Sequence, residues 1–143
     1  MIIVDVNLLL YATFTSFEQH GAARAWFEGV LNGEEQLLLP AVSLFGFLRL
    51  ATSPRIFESP LRLEDALGSV EAWLSQPHVH FLVPGPRHLE IAFRLLRELG
   101  VAGNLTTDVQ LAAHAIENQA VLCSNDSDFA RFAGLQWQNP LVT

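Results

Sequence analysis

Lysine is absent from all 143 residues, so the eight basic side chains are all arginine: Arg24, Arg49, Arg55, Arg62, Arg87, Arg94, Arg97 and Arg131. That absence excludes chemistry that needs an amine: Schiff bases, a P-loop lysine on a nucleotide phosphate, and the lysine of aspartyl-phosphate sites. The single cysteine, Cys123, can form neither an internal disulfide nor a thiolate zinc cage, which points to a reducing compartment. No run approaches the roughly 18 apolar residues of a membrane span. The opening MIIVDVNLLLYA has no basic region ahead of its apolar stretch and carries Asp5 inside it, unlike a signal peptide. A soluble cytoplasmic protein with no membrane partner is expected. Charge is also sparse, at 16% of residues against 50% apolar, with a net charge of −7. So apolar a chain is expected to have part of its surface covered by a partner.

What is present is an alternation. Continuous apolar runs at Ile2–Val6, Gln36–Leu39, Val79–Val83 and Ala120–Cys123 read as strands buried on both faces, the habit of a parallel sheet. Between them lie segments of helical period, through Ala22 to Leu31, Val42 to Leu50, Leu63 to Leu74, Leu89 to Leu99 and Thr107 to Glu117. The fold class is therefore α/β, a mainly parallel sheet of four to five strands flanked by helices, in a single domain over 1–143. Breaks such as Asn32-Gly33 and Pro84-Gly85-Pro86 are turns within that domain, with no repeat and no linker.

Three groups of carboxylates stand where such a fold binds ligands. Asp5 interrupts the first strand near its carboxyl end, the edge at which open α/β sheets hold their ligands, and a buried carboxylate there needs a partner. A helix N-cap would also satisfy it. Asp108 follows Thr106 and Thr107, either of which reads as an N-cap, and so falls in the first turn of an apolar helix; alone it is a helix-start residue. Asp126 and Asp128 come directly after the strand ending at Cys123, where they read either as site residues or as a polar turn opening a short helix from Asp128 to Phe132. The topology brings all of these to one edge. Carboxylates gathered there repel unless a cation joins them, and hard oxygen donors select Mg²⁺ or Mn²⁺. Such a site suits phosphodiester hydrolysis by a metal-activated water, which needs no lysine.

MIIVDVNLLLYA, AVSLFGFLRLATSPRIF and NLTTDVQLAAHAIENQAVLCSNDSDFARFAGLQW together resemble the PIN-domain ribonuclease toxins of the VapC family, in their mycobacterial-type branch, across essentially the whole chain. The resemblance implies a PIN-like sheet and Mg²⁺- or Mn²⁺-dependent endonucleolytic cleavage of RNA. It also implies a cognate VapB-type antitoxin and a homodimer. Residue by residue, it makes Asp5, Asp108 and Asp126 the metal ligands, adds Asp128 to the catalytic group, and gives Asp5 a polar companion in Asn7. The second helix departs from the pattern: Gly46 stands where many PIN domains carry a glutamate, which leaves open whether one metal binds or two. Arg49, one turn further along, is a candidate phosphate contact.

The five histidines read as structural. His78 and His80 form an edge pair around Val79, His20 and His88 lie on helix surfaces, and His114 sits about 120° round the helix from Asp108. Cys123 reads as a core residue, with no cation nearby to lower its pKa. Two rivals to the nuclease remain. One is a catalytically weak PIN domain that grips RNA or an antitoxin, motivated by Gly46. The other is a phosphatase with Asp5 as nucleophile, which would want a second aspartate where Asn7 stands.

Overall fold

The computed structural model describes residues 1–142. Its centre is β1 (Ile2–Val4), flanked by β2 (Leu37–Pro40) and β4 (Val121–Cys123); β3 (Val79–Leu82) and β5 (Gln136–Gln138) form the edges. The order is β3-β2-β1-β4-β5, with every neighbouring pair parallel. Alternation along the central strands divides the core between two faces. Ile2 and Val4 pack with Leu37, Leu39 and Val79 under α1 (Val6–Thr13), α2 (His20–Leu31), α3 (Ala41–Ala51) and α4 (Leu63–Leu74). Ile3, Leu38 and Leu122 face the other way, under α5 (His88–Leu99) and α6 (Thr106–Asn118).

Several expectations are corrected. The run Ile2–Val6 is not one strand: β1 ends at Val4, and Asp5 caps α1, which begins at Val6. The strand at Val79 is not buried on both faces. As an edge strand it leaves His80 and Phe81 exposed. Neither Thr106 nor Thr107 caps α6, because a 3₁₀ turn over Gly103–Leu105 feeds directly into a helix that starts at Thr106, whose hydroxyl donates to the Gly103 carbonyl. The short helix expected from Asp128 is a 3₁₀ turn over Ser127–Arg131.

Two of the histidines are placed differently from the expectation. His78 is buried with its ring on the Val30 carbonyl, while His80 meets Gln36 at the surface. His88 is not on a helix surface. It is buried against His114, with ring centroids 4.2 Å apart across the α5–α6 interface. Burial pushes the Cys123 thiol up to about 12, so it is inert as a nucleophile.

Strand order sets the position of the site. From β1 the chain turns away towards β2 and β3, and from β4 it turns the opposite way towards β5. The loops leaving β1 and β4 therefore diverge, and a crevice opens between them at the carboxyl edge.

Candidate metal centre

Asp5 leaves the end of β1 and Ser124 the end of β4, held in register by the Asp5 N–H donating to the Cys123 carbonyl at 3.0 Å. The Asp5 carboxylate accepts from the Val6 N–H at 2.7 Å through Oδ1 and from the Ser124 hydroxyl at 2.7 Å through Oδ2. It is thus both a helix cap and a candidate ligand, because each oxygen keeps a lone pair. Burial is the main cause of a raised Asp5 pKa, which the two hydrogen bonds oppose and the charge of Asp126 reinforces.

Asp108 stands in the first turn of α6, across the crevice. Its carboxyl is pushed up to about 6, first by desolvation and then by the charges of Asp5 and Asp126; Arg131 pulls it down, and Asp128 adds the smallest push. Asp126 opens the 3₁₀ turn after β4 and accepts from the Asp128 N–H at 2.9 Å. Asp5, Asp108 and Asp126 therefore share one field. Asp128 adds least to that field: its carboxylate pairs with Arg131 at 2.9 Å and is largely exposed.

Ser124 was not among the residues singled out from the sequence. Fully buried, its hydroxyl donates to Asp5 and accepts from the Asp126 N–H at 3.0 Å and from the Asn7 amide at 3.3 Å. One donor and two acceptor sites are all that a hydroxyl has, so Ser124 locks three candidate residues together. The available signal was a serine directly after a buried strand and two residues before an aspartate. Ser124→Ala leaves the Asn7 amide and the Asp126 N–H without their acceptor. Removing a buried partner of this kind costs about 1–3 kcal/mol, so a thermal melt of the variant should fall by several degrees. A melt unchanged from wild type would show that the hydroxyl is not the organiser.

Whether a cation fits can be judged from the donors. All are oxygens, three like charges face one crevice, and the Asn7 Oδ1 is a buried acceptor with no hydrogen-bond partner. Among the described residues no three His, Cys, Asp or Glu side chains are already drawn to ligand spacing. The donor set nonetheless fits a hard divalent ion, with Asn7 available as a neutral oxygen.

Beside Asp5 lies a cleft of about 390 Å³, bounded by Val6, Val42, Phe45, Gly46, Arg49 and Leu50 on one side and Thr107 on the other. A Cβ on Gly46 would stand 2.7 Å from the Val6 Cγ2. With Val6 where it is, α3 packs too closely on α1 for any side chain at 46, so the glutamate of many PIN domains has no room here. Arg49, in the last turn of α3, is exposed on the same wall and makes no ion pair among the described residues.

Five parallel strands with a group of acids at the divergence of the β1 and β4 loops are the marks of a PIN domain, and the PIN domain family model matches residues 2–135. The chain is 55% identical over 141 residues to ribonuclease VapC33 of Mycobacterium tuberculosis, covering 99% of each. It is 41% identical over 140 residues to ribonuclease VapC37 of the same organism, covering 98% of this chain and 97% of that one. The chain therefore belongs to the VapC ribonucleases of the PIN domain family. Among solved structures, the fold recurs in VapBC2 from Rickettsia felis bound to a promoter DNA fragment, with TM-score 0.70 and 20% identity over 97% of this chain and 98% of that chain. It recurs also in M. tuberculosis VapC20, a toxin that cleaves the sarcin-ricin loop, with TM-score 0.69 and 17% identity over 95% and 99% of the two chains.

Proposed function

We infer that this chain is the endoribonuclease toxin of a toxin–antitoxin pair, and that it hydrolyses RNA phosphodiester bonds with the help of Mg²⁺ or Mn²⁺ held by Asp5, Asp108 and Asp126. The observation that carries the site assignment is the shared field of those three carboxylates, which raises Asp108 to about 6. The activity is supported by full-length similarity to ribonucleases of the family. When bound, the ion neutralises the carboxylates and supplies a nucleophilic water at neutral pH together with charge stabilisation on the phosphate. The protein's part is orientation. Ser124 fixes Asp5 against Asp126, Asn7 offers a neutral oxygen, and Arg49 meets a phosphate with a planar fork suited to two parallel hydrogen bonds. Asp128, tied to Arg131, steadies the turn that presents Asp126.

The partners of this activity are RNA, a VapB-type antitoxin and a second copy of the chain. An antitoxin segment placing an arginine among the three carboxylates would occupy the position of the cation and so inhibit the enzyme. No helix among the described residues is long and apolar enough to cross a membrane, and a cytoplasmic location is the reading that action on RNA supports.

Purified chain free of antitoxin should fragment total RNA with Mg²⁺ or Mn²⁺ and leave it intact in EDTA. An ion that binds only the native state, at 100 times its Kd, stabilises that state by about 2.7 kcal/mol. The melt should therefore rise by roughly 6–10 °C for a domain of this size. Intact RNA under all conditions, with no metal-dependent rise, would refute the metal site. The bare wall at Gly46 favours one second reading, a PIN domain that binds RNA or antitoxin with little turnover. A melt unmoved by metal, together with retained RNA binding, would select it.

A further inference from the structure

Phe45 is 67% exposed and stacks on no other aromatic ring among the described residues. It nevertheless lines the cleft beside Asp5. Arg49 follows it by four residues on α3, so the ring and the guanidinium are neighbours on one helix face. Among the described residues Arg49 is the only cation lining that cleft, which Asp5 also lines. An apolar segment alone would leave the guanidinium unanswered, and a free phosphate would leave the ring bare. A nucleotide answers both, with a flat apolar base on one side and an anionic phosphate on the other.

We propose that Phe45 is a platform on which a nucleobase of single-stranded RNA stacks, its phosphate held by Arg49, next to the bond cut at Asp5; this rests on the ribonuclease reading above. Stacking on an aromatic face accepts any base, so Phe45 selects unpaired strands over duplexes and does not itself read sequence. Gly46, where a Cβ would meet the Val6 Cγ2 at 2.7 Å, lets α3 pack closely on α1 and so sets the wall of the cleft beside Asp5.

The test compares two fluorescein-labelled oligomers, twelve uridines and a twelve-residue abasic ribose-phosphate chain of equal charge, by anisotropy in EDTA, where nothing is cut. Wild type should prefer the uridine oligomer by about tenfold or more, the loss expected from removing one base–aromatic stack. Phe45→Leu should lose that preference while binding the abasic chain as wild type does, and Phe45→Trp should keep it. Arg49→Gln should weaken both oligomers. The preference is lost from the outset if wild type binds the two oligomers alike, or binds neither, and either result overturns the platform. So does a Phe45→Leu variant with the preference intact. A change in sedimentation mass of Phe45→Leu also overturns it, since Phe45 then belongs to an interface between copies. Failure of the ribonuclease reading is distinguishable: wild type would leave total RNA uncut in Mg²⁺ and Mn²⁺, whatever the anisotropy shows.

Discussion

Asp5→Asn is expected to cut RNA about 10²–10³-fold more slowly than wild type, the loss of several kcal/mol of transition-state stabilisation that follows removal of one anionic ligand. At pH 7 in EDTA the same variant should melt higher than wild type, and it should lack the rise in melt that metal gives wild type. The reason is the raised pKa of Asp5: its surroundings, hydrogen bonds included, disfavour the anion relative to the neutral carboxyl. Asparagine keeps an oxygen for the Val6 N–H or the Ser124 hydroxyl but carries no charge into the field of Asp126 and Asp108. The sign follows from linkage. A carboxylate whose native pKa lies above its unfolded value of 3.8 destabilises the fold above that native pKa, and the penalty fades as pH falls and the carboxyl protonates. The advantage of the asparagine should accordingly be present at pH 7 and disappear in acid. Asp5→Ala provides the contrast, because it removes the cap of α1 as well as the charge, and losing a cap costs about 1 kcal/mol. It should melt below Asp5→Asn. Wild-type cleavage by Asp5→Asn would remove Asp5 from the site, and a lower melt than wild type in EDTA at pH 7 would refute the electrostatic account of its strain.

The same residue shows what the sequence could and could not disclose. Strands β1, β2 and β4 are legible because strands buried on both faces must be apolar throughout, and few other short segments are. Ile2 to Leu10 is nearly continuous in apolar character, however, and a buried strand and a buried helix look alike in that respect. The boundary at Asp5 is set by its side chain capping α1, which periodicity does not display. β5 is only Gln136, Trp137 and Gln138. Its place is secured by pairing, through the Ser124 N–H on the Gln138 carbonyl and the Trp137 indole on the Ser124 carbonyl. The acids could be found singly, since each follows a strand or opens a helix. Ser124 could not be, because two of its three hydrogen bonds, to Asp5 and from Asn7, exist only when β4 lies beside β1, which brings together residues 119 and 117 apart in the chain. The pairing of His88 with His114 likewise arises only from the packing of α5 on α6.

That pair yields the second large effect. His114 is buried, its Nδ1 has no hydrogen-bond partner, and neither does the Nδ1 of His88 against which it stacks. Desolvation, helped by His88 and opposed by Glu117, lowers the His114 pKa from 6.5 to about 4. Above pH 6.5 the ring is neutral in both native and unfolded chains and contributes no pH dependence. Between 6.5 and 4 the unfolded chain takes a proton that the native chain refuses, so the native state loses roughly 2–3 kcal/mol by pH 4.5. Asp108 acts in the opposite direction over much of the same range, because its native pKa of about 6 lies above the ordinary 3.8 and protonation relieves it as pH falls. A wild-type melt against pH therefore shows only their partial cancellation, and each slope must be separated by substitution. His114→Phe preserves a ring against His88 and removes the titration. Relative to wild type it should gain roughly 2–3 kcal/mol on going from pH 7 to pH 4.5, or several degrees in the melt. Asp108→Asn should move the other way, losing ground against wild type over the same interval. If both variants track wild type at every pH, the protons taken up in acid belong to other groups, and neither the buried histidine pair nor the shared field of the carboxylates governs acid stability.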